Sequence, residues 1–169
     1  MLSPVMQDAL NKQLNAEFGS SYLYLSMAAW LENQNLSGMA HWMRLQADEE
    51  WDHAMRIFDF IHDRDGRVVL STIETPLAEW SSVIDVFEAS LAHEQKITGQ
   101  INELVDLALQ EKDHAANAFL QWFVSEQVEE EATVKSIVDK LKLAGENGVA
   151  LFMLDTELGR RTESPNETP

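Results

Sequence analysis

The stretch 46-QADEEWDHAMRI-57 lies inside a segment whose apolar residues recur in steps of three and four. Leu36, Ala40, Met43 and Ala47 lead the stripe up to Glu50, and Ala54, Ile57 and Ile61 continue it. Such spacing is one face of an α-helix. At its centre, where an apolar residue is due, stands Glu50, and His53 follows one turn later on the same side.

Three further segments repeat the anomaly. The first stripe reads Met6, Leu10, Leu14, Glu17, Ser21, Tyr24, Ala28, Leu31. The third reads Ile84, Phe87, Leu91, Glu94, Thr98, Ile101, Val105, Ala108, and the fourth Ala116, Leu120, Phe123, Gln127, Glu130, Val134, Ile137, Leu141. Each is interrupted near its middle by a carboxylate, the fourth also by an amide. A lone buried carboxylate costs on the order of several kcal/mol, and four at one height repel one another. A bundle tolerates them only by neutralising the charge, through protonation with raised pKa values or through a bound cation. Four carboxylates and one imidazole suit a pair of iron ions in a mainly oxygen environment. The expectation is a two-metal site inside a helical bundle.

Neighbouring residues read in two ways. Tyr24, two turns after Glu17, is a core tyrosine whose hydroxyl has a partner, or a hydrogen-bonding, one-electron neighbour of the metals. Glu126 and Glu129 flank the fourth stripe and, with Glu49, offer a satellite cation site. Glu111-x-x-His114 repeats the spacing of Glu50 and His53 at a helix boundary and is read as coincidence. His41, His62, His93 and His114 are read as surface or satisfied structural residues, and the methionines as core fillers.

The breaks between the periodic segments set the topology. The first helix opens at Ser3-Pro4 and runs to about Asn33; the second runs from Ser37-Gly38 to about Asp65-Gly66. The third opens at Ser81-Ser82 and ends near Glu111; the fourth runs from Asp113 to Gly145. A shorter piece, Val149 to Leu158, is closed by Gly159. Two of the breaks are only a few residues long, which makes those helices antiparallel neighbours. The stretch from Gly66 to Trp80 reaches roughly 50 Å when extended, longer than the ~42 Å of a helix of about 28 residues. It can run the length of the bundle and leave the second and third helices parallel, with Arg67-Val68-Val69-Leu70 lying on the bundle surface. The fold class is therefore all-α: a four-helix bundle with one long crossover and a short fifth helix, spanning residues 1–160, with a flexible tail over 161–169.

Composition narrows the function classes. A chain of 169 residues has room for one domain, and 7 Gly with 4 Pro are too few turn residues for a many-stranded β fold. Twelve basic against 29 acidic residues give a net charge of −17, which argues against nucleic acid and suits a protein that gathers cations. The absence of cysteine excludes disulfides, thiolate metal sites and cysteine nucleophiles. The N-terminus shows no signal-peptide pattern and no apolar run is long enough to span a membrane, so the expected address is cytoplasmic.

Taken together, Glu17, the pair Glu49-Glu50 with His53, Glu94, and Ser125-Glu126-Gln127 followed by Glu129-Glu130 resemble the bacterial non-haem ferritins over nearly the full length. The resemblance implies an iron-storage protein with a ferroxidase centre. It also implies a hollow homo-oligomeric cage of 24 chains holding ferric mineral, with Fe(II) and O2 or H2O2 as substrates. In that reading Glu17, Glu50 and His53 hold the first iron, with Glu50 bridging. Glu94 and Glu130 hold the second, and Gln127 is a weak ligand or hydrogen-bond partner beside it. Glu49, Glu126, Glu129 and the shared Glu130 resemble a third iron site, and Tyr24 matches the tyrosine near the centre.

Departures from related families sharpen the reading. A second Glu-x-x-His on the fourth helix, as in bacterioferritins and many di-iron oxidases, is replaced by Gln127-x-x-Glu130. The second iron thereby loses an imidazole and a bridging carboxylate, which implies a looser site. Bacterioferritins carry a haem-ligating Met where Trp51 stands here, and an indole ligates no haem iron, so no haem is expected. Mini-ferritins place their metals between subunits and lack this set. Two other classes stay open: a di-iron oxidase with a retained iron pair acting on an organic substrate, and a metal-free acidic helical scaffold.

Overall fold

A computed structural model describes residues 2–162. It forms five helices: α1 (Pro4–Asn33), α2 (Ser37–Asp63), α3 (Val83–Gln110), α4 (His114–Ala144) and α5 (Gly148–Leu158). The chain is all-α, a four-helix bundle with a long crossover and a short fifth helix. Three of the expected start signals cap their helices: Ser3, Ser82 and Asp113 accept from the backbone N–H of Met6, Asp85 and Ala116 at 3.2, 3.2 and 3.0 Å.

The helix ends share one device that sequence patterning does not reveal. Asn35, Asp65 and Lys112 take φ of 59°, 56° and 57°. The next residue then reaches back five positions: Leu36 to Leu31 at 3.1 Å, Gly66 to Ile61 at 2.8 Å and Asp113 to Ala108 at 2.8 Å. This closure ends α2 at Asp63, short of the expected Asp65-Gly66.

The crossover lies along α1 as a strap. Gln7 Oε1 accepts from the Arg67 N–H, Asn11 bonds the backbone of Arg67 and Val69, and Asn15 bonds Ser71 and Thr72. Ser26 then donates to the Leu77 carbonyl at 2.6 Å, and Trp80 meets Trp30 edge-on at 6.1 Å. Contacts that advance together along both segments carry the chain back to the start of α2, so α3 begins parallel to it. Val68 is half-buried, whereas Val69 and Leu70 stay exposed.

The core is split into two apolar clusters. One gathers Tyr24, Met27, Leu31, Met39, Met43, Phe87, Val134 and Leu141; the other Met6, Leu10, Leu14, Ile57, Ile61, Ile101, Leu120 and Phe123. On α3 the buried face is turned from the expected stripe. Val86, Ser90, Ile97 and Leu104 are buried, while Ile84, Leu91, Thr98 and Val105 are half-buried. Ser90 faces inward because its hydroxyl donates to Tyr24 Oη at 3.2 Å, a pull that an apolar filter misses.

α5 closes one end of the bundle against α2 and α4. A Cβ on Gly38 would stand 1.9 Å from the Asp155 carbonyl oxygen, so only glycine admits this approach. Asp155 Oδ1 in turn accepts from the Met39 N–H at 2.8 Å, supplying the cap that Leu36 cannot. Of the tail expected over 161–169, residues 163–169 lie outside the described residues. No helix among the described residues is long and apolar enough to cross a membrane.

Candidate metal centre

The four helices bring their interrupting residues into one polar layer between the two apolar clusters. Glu17 from α1, Glu50 and His53 from α2, Glu94 from α3, and Gln127 and Glu130 from α4 are all buried, none more than 6% exposed. Each is held by the helix whose apolar face flanks it on both sides. The layer is almost closed to solvent, so its internal hydrogen bonds weigh heavily in its chemistry.

At one end, Glu17, Glu50 and His53 offer ligand atoms that all lie within 4.8 Å of one another. His53 Nδ1 stands 3.4 Å from Glu50 Oε2, and the ring is fixed edge-on by Trp122 and Phe123 at 5.3 and 6.0 Å. Gln13 Nε2 donates to Glu17 Oε1 at 2.7 Å. Glu17 Oε2 is buried with no donor at all, so only a proton shared with Glu50 or a cation can satisfy it.

The other end is better provided with donors. The Tyr24 hydroxyl donates to Glu94 Oε1. Gln127 Nε2 lies 3.2 Å from both the Glu94 carbonyl and Glu94 Oε2, and Gln46 Nε2 donates to Glu130 Oε2 at 2.5 Å. Glu126, half-buried, forms with His53 and Glu130 a second group that could hold a metal ion. Glu129 is exposed, and Glu49 pairs with Arg161.

The electrostatics follow from this crowding. Burial lifts the carboxyl of Glu50 well above the usual range, and the charges of Glu94, Glu17 and Glu130 lift it further. Burial also raises Glu17 and Glu94, opposed in Glu94 by the hydrogen bonds from Tyr24 and Gln127. Glu130 is pushed up to about 8, by burial first and by Glu94 next. Burial and the adjacent Glu94 push the Tyr24 phenol well above its ordinary value, so it stays a donor. A divalent cation would replace these protons and remove the repulsion in one step. The oxygen-rich donor set with one imidazole fits iron.

The layer also contains residues that the stripe reading did not single out. Gln13 and Gln46 each stand one turn before an interrupting glutamate, Glu17 and Glu50, and that repeated i, i+4 spacing was a usable signal. Ser20 and His93 form a separate pair at 2.7 Å, with His93 lowered to about 4 by burial. Trp51 is exposed and tilts against Phe18, with ring centroids 4.9 Å apart.

Comparison with known proteins agrees with this architecture. A family model described as a ferritin-like domain matches residues 7–144. A bacterial non-heme ferritin of Escherichia coli is 45% identical over 158 residues, covering 94% of this chain and 96% of that protein. One of Bacteroides fragilis is 44% identical over 161 residues, covering 95% and 100%. Among solved structures, an open pore ferritin from Archaeoglobus fulgidus superposes with a TM-score of 0.95 at 51% identity, covering 96% of this chain and 100% of that one. A form of the same ferritin engineered to be closed gives a TM-score of 0.96 at 50% identity, covering 97% and 100%.

Proposed function

The chain belongs to the ferritin family, and from that membership and the polar layer we infer that it stores iron. Ferrous ions are oxidised at the buried pair of positions and deposited as ferric oxyhydroxide inside an assembly of copies of this chain. The observation that carries this reading is the buried Glu17 Oε2 beside Glu50 and His53, an atom that only a proton held with Glu50 or a cation satisfies.

Roles follow from position. Glu17, Glu50 and His53 take the first ferrous ion, with Glu50 placed to bridge. Glu94 and Glu130 take the second, and Gln127 orients Glu94. Glu49, Glu126, Glu129 and Glu130 form the third position. Each ferrous ion gives up one electron, the pair together reducing O2 to H2O2, or H2O2 to two waters, with two protons from solvent, and the ferric ions then hydrolyse and release protons. Carboxylates stabilise the ferric product more than the ferrous substrate, which drives the oxidation forward. Tyr24 keeps Glu94 oriented through its hydroxyl.

Two exposed apolar surfaces support the homo-oligomer, which we take to have 24 copies. One is Val149, Phe152 and Met153 on α5; the other is Tyr22 and Leu25 on α1 with Leu70 and Leu77 on the crossover. The assembly is cytoplasmic and haem-free, Trp51 offering no haem ligand. Aerobic addition of ferrous iron in large excess to the metal-free protein tests the reading. Soluble ferric absorbance that grows far beyond two irons per chain is expected. Saturation at about two would indicate a di-iron oxidase instead, and precipitation at the protein-free rate would leave only a scaffold.

A further inference from the structure

Beyond α5 the described chain packs back onto α2, Gly159 closely against Gly38 and Arg161 through its polar groups. The Arg161 carbonyl accepts from His41 Nε2 at 2.9 Å, and its guanidinium lies 4.7 Å from the centroid of the Trp42 ring. Nη1 donates to Gln46 Oε1 at 2.7 Å, and Nη2 pairs with Glu49. Gln46, fully buried, passes the link on from its Nε2 to Glu130 Oε2. A fixed cation thus stands one contact from Glu49 and two from Glu130, with the Arg161 and Glu49 side chains each only 21% exposed.

Glu49 lies near enough to Glu130 for its charge to act on that carboxyl. On the same side, Glu126 joins Glu130 and His53 in a group able to hold a metal ion. We propose that Arg161 is the resident cation of this flank and that a third metal ion drawing on Glu49, Glu126 and Glu130 must displace it. The proposal rests on the metal-loading function above and adds its regulation. The guanidinium already gives Glu49 a charge-assisted, partly shielded partner. A metal ion that takes Glu49 gives up that contact, so its net affinity falls by the strength of the pair. Linkage makes the effect reciprocal: whatever factor Arg161 removes from third-metal affinity, the third metal removes from the docking of the chain end. The first two positions do not use Glu49, and the second meets Arg161 only indirectly, through Glu130 and Gln46. The latch therefore opens only when the third position is taken, and residues 160–162 lose their hold on α2 at that stage of loading.

Calorimetric titration of the assembled, metal-free protein with Zn2+, which is redox-inert, tests this without any oxidation reaction. The parent is expected to bind two ions per chain tightly and a third weakly. Arg161→Gln should tighten the third step roughly tenfold, the size of one charge-assisted contact, and leave the first two steps in place. Arg161→Lys keeps the charge but cannot reach Gln46 and Glu49 together, and should fall between. Arg160→Gln removes the same charge from an exposed neighbour and should match the parent. In the parent, amide exchange of residues 155–162 should rise with the third equivalent and not with the first two. An unchanged third step in Arg161→Gln, an equal gain in Arg160→Gln, or exchange indifferent to the third equivalent would overturn the proposal. Loss of the two tight steps in the parent is a different result, one that sinks the storage reading itself.

Discussion

The Glu17–Glu50–His53 end of the polar layer and the Glu94–Gln127–Glu130 end carry similar residues under opposite hydrogen-bonding regimes. At the first, the Gln13 amide serves Glu17 Oε1 alone, and Glu17 Oε2 is left to a proton held with Glu50. At the second, Tyr24 and Gln127 serve Glu94 while Gln46 serves Glu130. Donors do part of the work that a cation would otherwise do. The second end is therefore the better satisfied without metal, and the first has more to gain from binding one. The replacement of a histidine by Glu130 in Gln127-x-x-Glu130 points the same way, because it leaves the second position without an imidazole.

The largest effect expected is at the point where the two ends meet. Burial raises the Glu50 carboxyl most, and the charges of Glu94, Glu17 and Glu130, which belong to both ends, raise it further. Glu50→Ala should slow the fast phase of ferrous oxidation, followed by stopped-flow absorbance, by about a hundredfold or more. Losing even an outer partner of a metal ligand costs about 10–100-fold. A rate within a few-fold of the parent would break the picture of two positions sharing a carboxylate.

Stability without metal separates the ends directly. Replacing buried ion pairs by packed apolar residues is often neutral or stabilising by about 1–4 kcal/mol, which sets the scale here. Glu17→Leu should show most of this gain in denaturant unfolding of the metal-free protein, since it removes a carboxyl oxygen that no amide or hydroxyl serves, at the cost of the Gln13 amide bond and the proton held with Glu50. Glu94→Leu should gain less, because it leaves the Tyr24 hydroxyl and the Gln127 amide without their acceptor. Equal gains would erase the contrast.

The same charges give the metal-free protein a pH dependence. Glu130, at about 8, is raised above an unfolded value of 4.5, so its contribution to stability is complete below 4.5 and lost as pH climbs through 8. His93, lowered to about 4, works in the opposite sense: its contribution is present above 6.5 and lost as pH falls towards 4. Above about pH 7.5 His93 is neutral folded or unfolded, so the window that reports the carboxyls lies from there upward. The raised carboxyls, Glu130 among them, should lose metal-free stability as pH climbs through 8. Thermal unfolding should show the fall without metal and its reversal with Zn2+. A flat metal-free profile would mean that the layer is already neutralised by other means.

How far the sequence carries can be read from single residues. Period and end signals placed α1 and α4 almost to the residue, because Ser3-Pro4, Asp113 and Gly145 act locally. Glu17, Glu50, Glu94 and Glu130 were legible as breaks in apolar stripes, and they do share one buried layer. What stayed hidden depends on contacts between distant segments. The inward turn of Ser90 needs Tyr24 from another helix, and the cap on α2 comes from Asp155, 116 positions away from the Met39 amide it accepts. The strap of Gln7, Asn11 and Asn15 along the crossover is an i, i+4, i+8 row that reads as an ordinary polar face until the crossover is laid against it.

The smallest expected effect is also the most selective between the two ends. Tyr24→Phe removes one hydroxyl that donates to Glu94 and accepts from Ser90, and leaves the ring in the apolar cluster. The loss of one such bond is worth about 1 kcal/mol, or roughly fivefold in affinity. It falls on the second position alone, because no hydrogen bond joins Tyr24 to Glu17 or His53 among the described residues. Stepwise Zn2+ titration should therefore show an unchanged first step and a second step about fivefold weaker. If both steps weaken together, the layer behaves as one coupled unit, and the two ends differ in hydrogen bonding without differing in how they hold metal.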